Sequence, residues 1–225
     1  VGNIWNFGWG WENVAGYVEQ LLRRSASRAR PVVQGLVTKT QSLYGRQVGD
    51  DATFVGIYAR ERHSLMVFTG PPLDENTDDY QAQRLLDFDG RKVVCGGTTG
   101  NILETYLGEV IEIDLSTLRE DVPPIGRLSQ IDLLTEGIIT MSHALDYMRA
   151  CRGDELQLPR DRNGATLLAR ELLRADSVFF LVGQKINEFY QNPLLPRNLS
   201  IRKHLVQEIA QFLQEHHKEV KVEFC

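Results

Sequence analysis

The chain has 225 residues, 42% of them hydrophobic, enough to bury the core of one large or two modest domains. A formal net charge of −5 excludes the clustered excess of Lys and Arg that binds nucleic-acid phosphates, and no run reaches the roughly 18–20 apolar residues of a membrane-spanning helix. Three cysteines, Cys95, Cys151 and Cys225, are odd in number, widely spaced and never arranged as Cys-x-x-Cys, which points away from a disulfide framework or a zinc site and towards a reducing cytoplasm.

From the N terminus, Val14, Tyr17, Val18, Leu21 and Leu22 recur at helical spacing and predict a helix over 11–22. A second helix is predicted over 30–44, with Val32, Val33, Leu36, Val37, Thr40 and Leu43 on its buried side. The densest basic stretch, Arg23, Arg24, Arg28 and Arg30, reads as a solvated helix face. After Gly45 and Gly49, the alternating run from Ala52 to Tyr58 predicts a strand over 52–60. Two helices and one strand leave both strand edges unpaired, so this piece is too small to fold well alone.

Beyond the charged turn at 60–63 the texture changes, and a boundary is predicted there. Strands are expected over 64–69, 92–95, 110–114, 131–134, 177–182 and 220–224; helices over 79–88, 98–107, 138–149, 166–174 and 200–215. The loop over 119–130, with Pro123-Pro124, reads as irregular. Alternation of strand and helix predicts an α/β fold for residues 63–225: a mostly parallel sheet with helices on both faces.

Two places carry candidate chemistry. The first is Asp50-Asp51, just before the predicted strand. Hydrolases that use Mg²⁺ or Mn²⁺ need several carboxylates projecting into one pocket from rigid strand ends, but an Asp-Asp before a strand also serves as a turn former or cap. The order Gly8-Trp9-Gly10-Trp11-Glu12-Asn13, two helices, then Gly49-Asp50-Asp51-Ala52-Thr53 resembles the C-terminal end of the metal-dependent protein serine/threonine phosphatases, specifically their bacterial stage II sporulation protein E-type branch. "GPPLDENTDD", "RKVVCGGTTGNILETYLG", "PPIGRLSQIDLLTEGIITMSHAL" and "FLVGQKINEFYQNPLLP" resemble the extra α/β domain that follows in some of these proteins.

The resemblance implies that residues 1–62 are a helix-helix-strand remnant of an α-β-β-α sandwich phosphatase domain and that 63–225 are an accessory domain. It implies that Asp50 is a metal ligand, with Asp51 beside it orienting water or metal, and that the intact protein hydrolyses phosphoserine or phosphothreonine on a signalling partner with Mn²⁺ or Mg²⁺. The family's earlier metal acids have no counterpart here, and the chain starts at Val1, so it reads as a catalytically incomplete fragment. No Gly-x-Ser-x-Gly elbow or His-Glu-x-x-His supplies another nucleophile, and His216-His217 reads as an exposed helix end. Trp5, Trp9 and Trp11 either line a partner surface or pack the two helices onto a sandwich.

The second place is the set of glycine-ended strands, since ligands of parallel sheets bind beyond the C-terminal strand ends, at helix N-termini. Here Gly96, Gly97, Thr98, Thr99 and Asn101 follow one strand, Thr135 and Glu136 another, and Gly183-Gln184-Lys185 a third. The glycines would let an anion approach the backbone, and Thr98 or Thr99 could cap the helix and donate a hydroxyl. Tight strand-to-helix turns need Gly and Thr whether or not anything binds, and neither a P-loop nor a Gly-x-Gly-x-x-Gly fingerprint is present. Cys95 reads as a buried strand residue rather than a reactive thiol. A non-catalytic sensor or interaction module that binds a small anion or nucleotide at 96–101 is therefore the alternative to the phosphatase reading.

Overall fold

A computed structural model describes residues 9–24, 29–45, 51–185 and 198–225. The chain divides into two compact units, Val1–Glu61 and Arg62–Cys225.

In the first unit, helix α1 (Trp11–Arg24) carries Glu12 in its first turn, where a carboxylate complements the helix dipole. It packs on helix α2 (Ala29–Tyr44), which approaches closely at Gly35: a Cβ there would lie 2.8 Å from Leu21 Cδ1. Trp9 meets Tyr17 edge-on at 5.7 Å. Among the described residues of this unit only Leu36 and Thr40 are buried, while Trp11 is 80% and Ile57 92% exposed.

The strand expected over 52–60 does not form; the segment is extended to solvent without regular structure, and Gly56 lies against α2, where a Cβ would meet Val33 Cγ2 at 2.7 Å. Alternation supplies one apolar face, but a strand also needs a neighbour to take its backbone hydrogen bonds, and no described segment pairs with this one.

The second unit is an α/β domain built on one mixed sheet. Its strands are β1 (Ser64–Thr69), β2 (Arg91–Cys95), β3 (Glu112–Asp114), β4 (Ile125–Arg127), β5 (Leu133–Thr135), β6 (Ser177–Val182) and β7 (Glu219–Phe224), in the order β3-β4-β5-β2-β1-β6-β7. From β5 to β7 neighbours run parallel; β4 is antiparallel to both β3 and β5. Parallel strands are buried on both faces, which is why SLMVFT and SVFFLV are nearly continuous apolar runs.

Leu65 and Val67 of β1, with Phe180 of β6, pack under α5 (Ile138–Ala150), α6 (Gly164–Arg174) and α7 (Asn198–Glu215). Met66 and Phe68, with Leu181, pack under α3 (Asp78–Leu86) and α4 (Gly97–Leu107). Period-two alternation thus sends successive side chains into two different cores. Among the described residues no helix is long and apolar enough to cross a membrane.

Three local expectations are corrected. The stretch read as irregular loop, 119–130, contains β4, a strand too short to show a period. Its place is set by tertiary partners: Gly126 pairs with Leu134 so closely that a Cβ would meet Leu134 Cδ2 at 2.5 Å, and Thr117 Oγ1 accepts from Ile125 N at 3.0 Å. Neither Thr98 nor Thr99 caps α4. Gly96, at φ 123°, lets the helix begin one residue earlier, with its own carbonyl accepting from Gly100 N at 2.8 Å. His216 is half-buried rather than exposed: its ring stacks on Phe212 at 4.2 Å, with Nδ1 2.8 Å from the Phe212 carbonyl and Nε2 3.2 Å from that of Arg152. His217 remains at the surface.

Candidate functional site

The register of the parallel strands brings Thr69 of β1, Cys95 of β2 and Thr135 of β5 level, so three strands end together. After β2 the chain turns at Gly96, whose N–H donates to the Thr135 carbonyl at 2.9 Å. After β5 it turns at Gly137, and a Cβ there would lie 3.4 Å from Gly96 Cα, so the two turns pass backbone against backbone. From these turns α4 leaves to one face of the sheet and α5 to the other, which opens a crevice between the strand ends.

That crevice is a cavity of about 510 Å³. Its walls include Gly96, Gly97, Thr98, Thr99 and Asn101 from the β2–α4 junction and Glu136, Gly137 and Ile138 from the β5–α5 junction. The first N–H groups of α4 have no carbonyl partner within the helix, and the helix dipole places a partial positive charge there. Thr99 is only 1% exposed, and its hydroxyl is buried without a hydrogen-bond partner. Glu136 Oε2 is likewise sealed from solvent and unpartnered.

The cation of the site comes from elsewhere in the chain. Arg202, near the start of α7, lines the cavity and donates from Nη1 to the Gly183 carbonyl at 3.0 Å. Gly70 makes room for it: it has φ 80°, and a Cβ on it would lie 2.3 Å from Arg202 Nη1. Gly183 in turn crosses the 70–71 backbone so closely that a Cβ would meet the Pro71 carbonyl oxygen at 2.1 Å. Burial lowers the pKa of Arg202, and no carboxylate among the described residues pairs with it.

The expected site residues are thus divided. Gly96, Gly97, Thr98, Thr99, Asn101 and Glu136 come together. Thr135 is buried beneath the cavity, its hydroxyl 2.8 Å from the Glu136 carbonyl and 3.4 Å from Cys95 Sγ, so it supports the turn and offers nothing to a ligand. Lys185 pairs with Glu75 outside the cavity. Asp51 is exposed and belongs to the first unit, while Asp50 lies outside the described residues. Among the described residues no three His, Cys, Asp or Glu side chains gather as metal ligands, so these residues do not assemble a centre for Mn²⁺ or Mg²⁺.

Arg202 was not legible as a site residue. It stands on an amphipathic helix more than a hundred positions from Gly96 and is one of 25 Lys and Arg residues. Cys95, by contrast, behaves as its place in a strand predicts: burial pushes its thiol up to about 12, with the Thr135 hydroxyl opposing and Glu136 reinforcing the shift. A thiol so raised and sealed supplies no nucleophile near neutral pH.

Comparison of the chain with protein-family models, with curated proteins and with solved structures finds no match. The fold and the site therefore define the class: an α/β domain with a cavity at the carboxyl edge of its parallel strands.

Proposed function

We propose that residues 62–225 form a non-catalytic binding module for a small phosphate-bearing anion, held where β2 meets α4. One observation carries this reading: residues of the 96–101 loop and the N terminus of α4, Thr99 with its unpartnered hydroxyl among them, line one cavity with Arg202. A helix N terminus and its dipole favour an anion, and a guanidinium supplies two parallel donors to phosphate oxygens. The cavity falls within the roughly 300–1,000 Å³ of small-molecule sites. The anion in turn supplies a partner to the Thr99 hydroxyl, which has none among the described residues, and a counter-charge to Arg202.

The test is a thermal-shift titration of the chain with inorganic phosphate, against chloride at equal ionic strength. At a hundred times the Kd a ligand adds about 2.7 kcal/mol to stability. For a unit of this size, that raises Tm by about 5–10 °C. Gly97→Val is the companion variant. A Cβ at Gly97 meets nothing within 4 Å and the residue lines the cavity, so added bulk there weakens phosphate binding about tenfold while leaving the unliganded Tm within about 2 °C. A phosphate response no larger than that of chloride overturns the reading.

A second reading concerns the first unit, which we propose is the C-terminal end of a sporulation-E-type phosphatase domain, with the α/β module biasing its activity on a phosphoprotein. The tryptophan-rich turn and the Gly49-Asp50-Asp51 order support it, as does the exposure of Trp11, Val55 and Ile57, apolar groups that a sandwich would cover. On this reading the chain alone hydrolyses no p-nitrophenyl phosphate with Mn²⁺, and activity appears only behind a sandwich that carries the remaining metal acids. Mn²⁺-dependent turnover by the chain alone, lost in Asp50→Ala, would refute the incomplete site.

A further inference from the structure

Glu136 is out of place in a cavity that binds only an anion. Its side chain lines the same cavity as Arg202, and one of its carboxylate oxygens, Oε2, is buried without a hydrogen-bond partner. The obvious way to satisfy both groups would be a salt bridge between them, yet Arg202 donates to the Gly183 carbonyl and pairs with no carboxylate among the described residues. The two therefore stand as separate poles, one that seeks acceptors and one that seeks donors. A buried acceptor without a donor costs the folded protein its desolvation, and a ligand group that supplies the donor recovers it.

The size of the cavity points the same way. At about 510 Å³ it holds far more than inorganic phosphate, and Pro71, Ile138 and Ile139 add an apolar wall to the polar one. Phosphate on the α4 side leaves room for a carbon skeleton against the isoleucines and for a donor at Glu136.

We propose that the ligand is a phosphorylated polyol, a sugar phosphate or the sugar-phosphate part of a nucleotide, with its phosphate at α4 and Arg202 and a hydroxyl donated to Glu136. This rests on the anion-binding reading above. A carboxylate is the natural reader of such a hydroxyl, because the charge-assisted bond is stronger than one to a neutral acceptor and a site built around it rejects ligands that lack the donor.

The experiment compares inorganic phosphate with ribose 5-phosphate by calorimetry and thermal shift, on the full chain and on Glu136→Gln. Ribose 5-phosphate is expected to bind at least tenfold more tightly than phosphate. Glu136→Gln is expected to remove that preference, to leave phosphate affinity within about twofold or slightly improved, and to leave the unliganded Tm within about 2 °C, since the substitution keeps the size of the side chain. A purely structural role for Glu136 would instead lower the unliganded Tm and weaken both ligands alike, and that result overturns the inference. So does equal affinity of the unsubstituted chain for the two probes. Phosphate binding without preference overturns the inference alone, whereas no binding of either probe overturns the anion-binding reading with it.

Discussion

Replacing Arg202 by Leu lowers the affinity for phosphate by about thirtyfold or more and leaves the unliganded protein no less stable. Removing one member of a desolvated, hydrogen-bonded charge pair costs about 2–5 kcal/mol of binding, and Arg202 is half-buried, so the lower end of that range applies. About 2 kcal/mol is close to a thirtyfold change. The folding side has a different sign. The guanidinium is partly desolvated, which lowers its pKa; it donates to the Gly183 carbonyl, and no carboxylate among the described residues balances its charge. Leu keeps the packing of the stem and removes that burden. Arg202→Lys retains a charge but not the planar fork, so its affinity falls between the two. Calorimetry on the three proteins decides the matter: a Leu variant that binds phosphate within threefold of the unsubstituted chain removes Arg202 from the site.

Phe180→Ala is expected to cost about 3–5 kcal/mol, because the ring is fully buried between β6 and the layer of α5, α6 and α7, and deletion leaves a cavity that the sheet cannot collapse to fill. For a domain of this size each kcal/mol moves Tm by about 2–4 °C, so a fall of about 10 °C or more is expected. Ile113→Ala, at an exposed position of the edge strand β3, is the control and stays within about 0.5 kcal/mol. The readout matters. All three tryptophans lie between Trp5 and Trp11, so their fluorescence reports on the first unit, and far-UV circular dichroism is the appropriate monitor. A loss below about 1 kcal/mol would place Phe180 outside the core described above.

Where local pattern and tertiary structure agree, the reason is local physics. SLMVFT and SVFFLV are apolar at every position that a doubly covered parallel strand must bury, and both form with the predicted bounds. The β2–α4 junction was legible because a strand that runs into Gly96-Gly97 must turn there, and only glycine readily takes the φ of 123° found at Gly96. Where they disagree, the deciding partner lies far along the chain. The run over 52–60 alternates as a strand should, yet no described neighbour takes its hydrogen bonds. The three residues of β4 show no period, yet Asp114 and Arg127 bridge at 2.8 Å, and Gly126 allows the sheet to close around Leu134.

The sequence by itself determined the α/β class of residues 63–225, the buried faces of the parallel strands and the glycine-threonine turn at the end of β2, because each depends on residues within a few positions of one another. Only the tertiary structure decided that Gly96 and Gly137 meet, that Thr135 and Lys185 stay out of the cavity, and that Arg202 enters it from α7. Neighbouring strands of a parallel sheet are joined by long crossovers, so the residues that share a strand end are distant in sequence, and register alone brings them level.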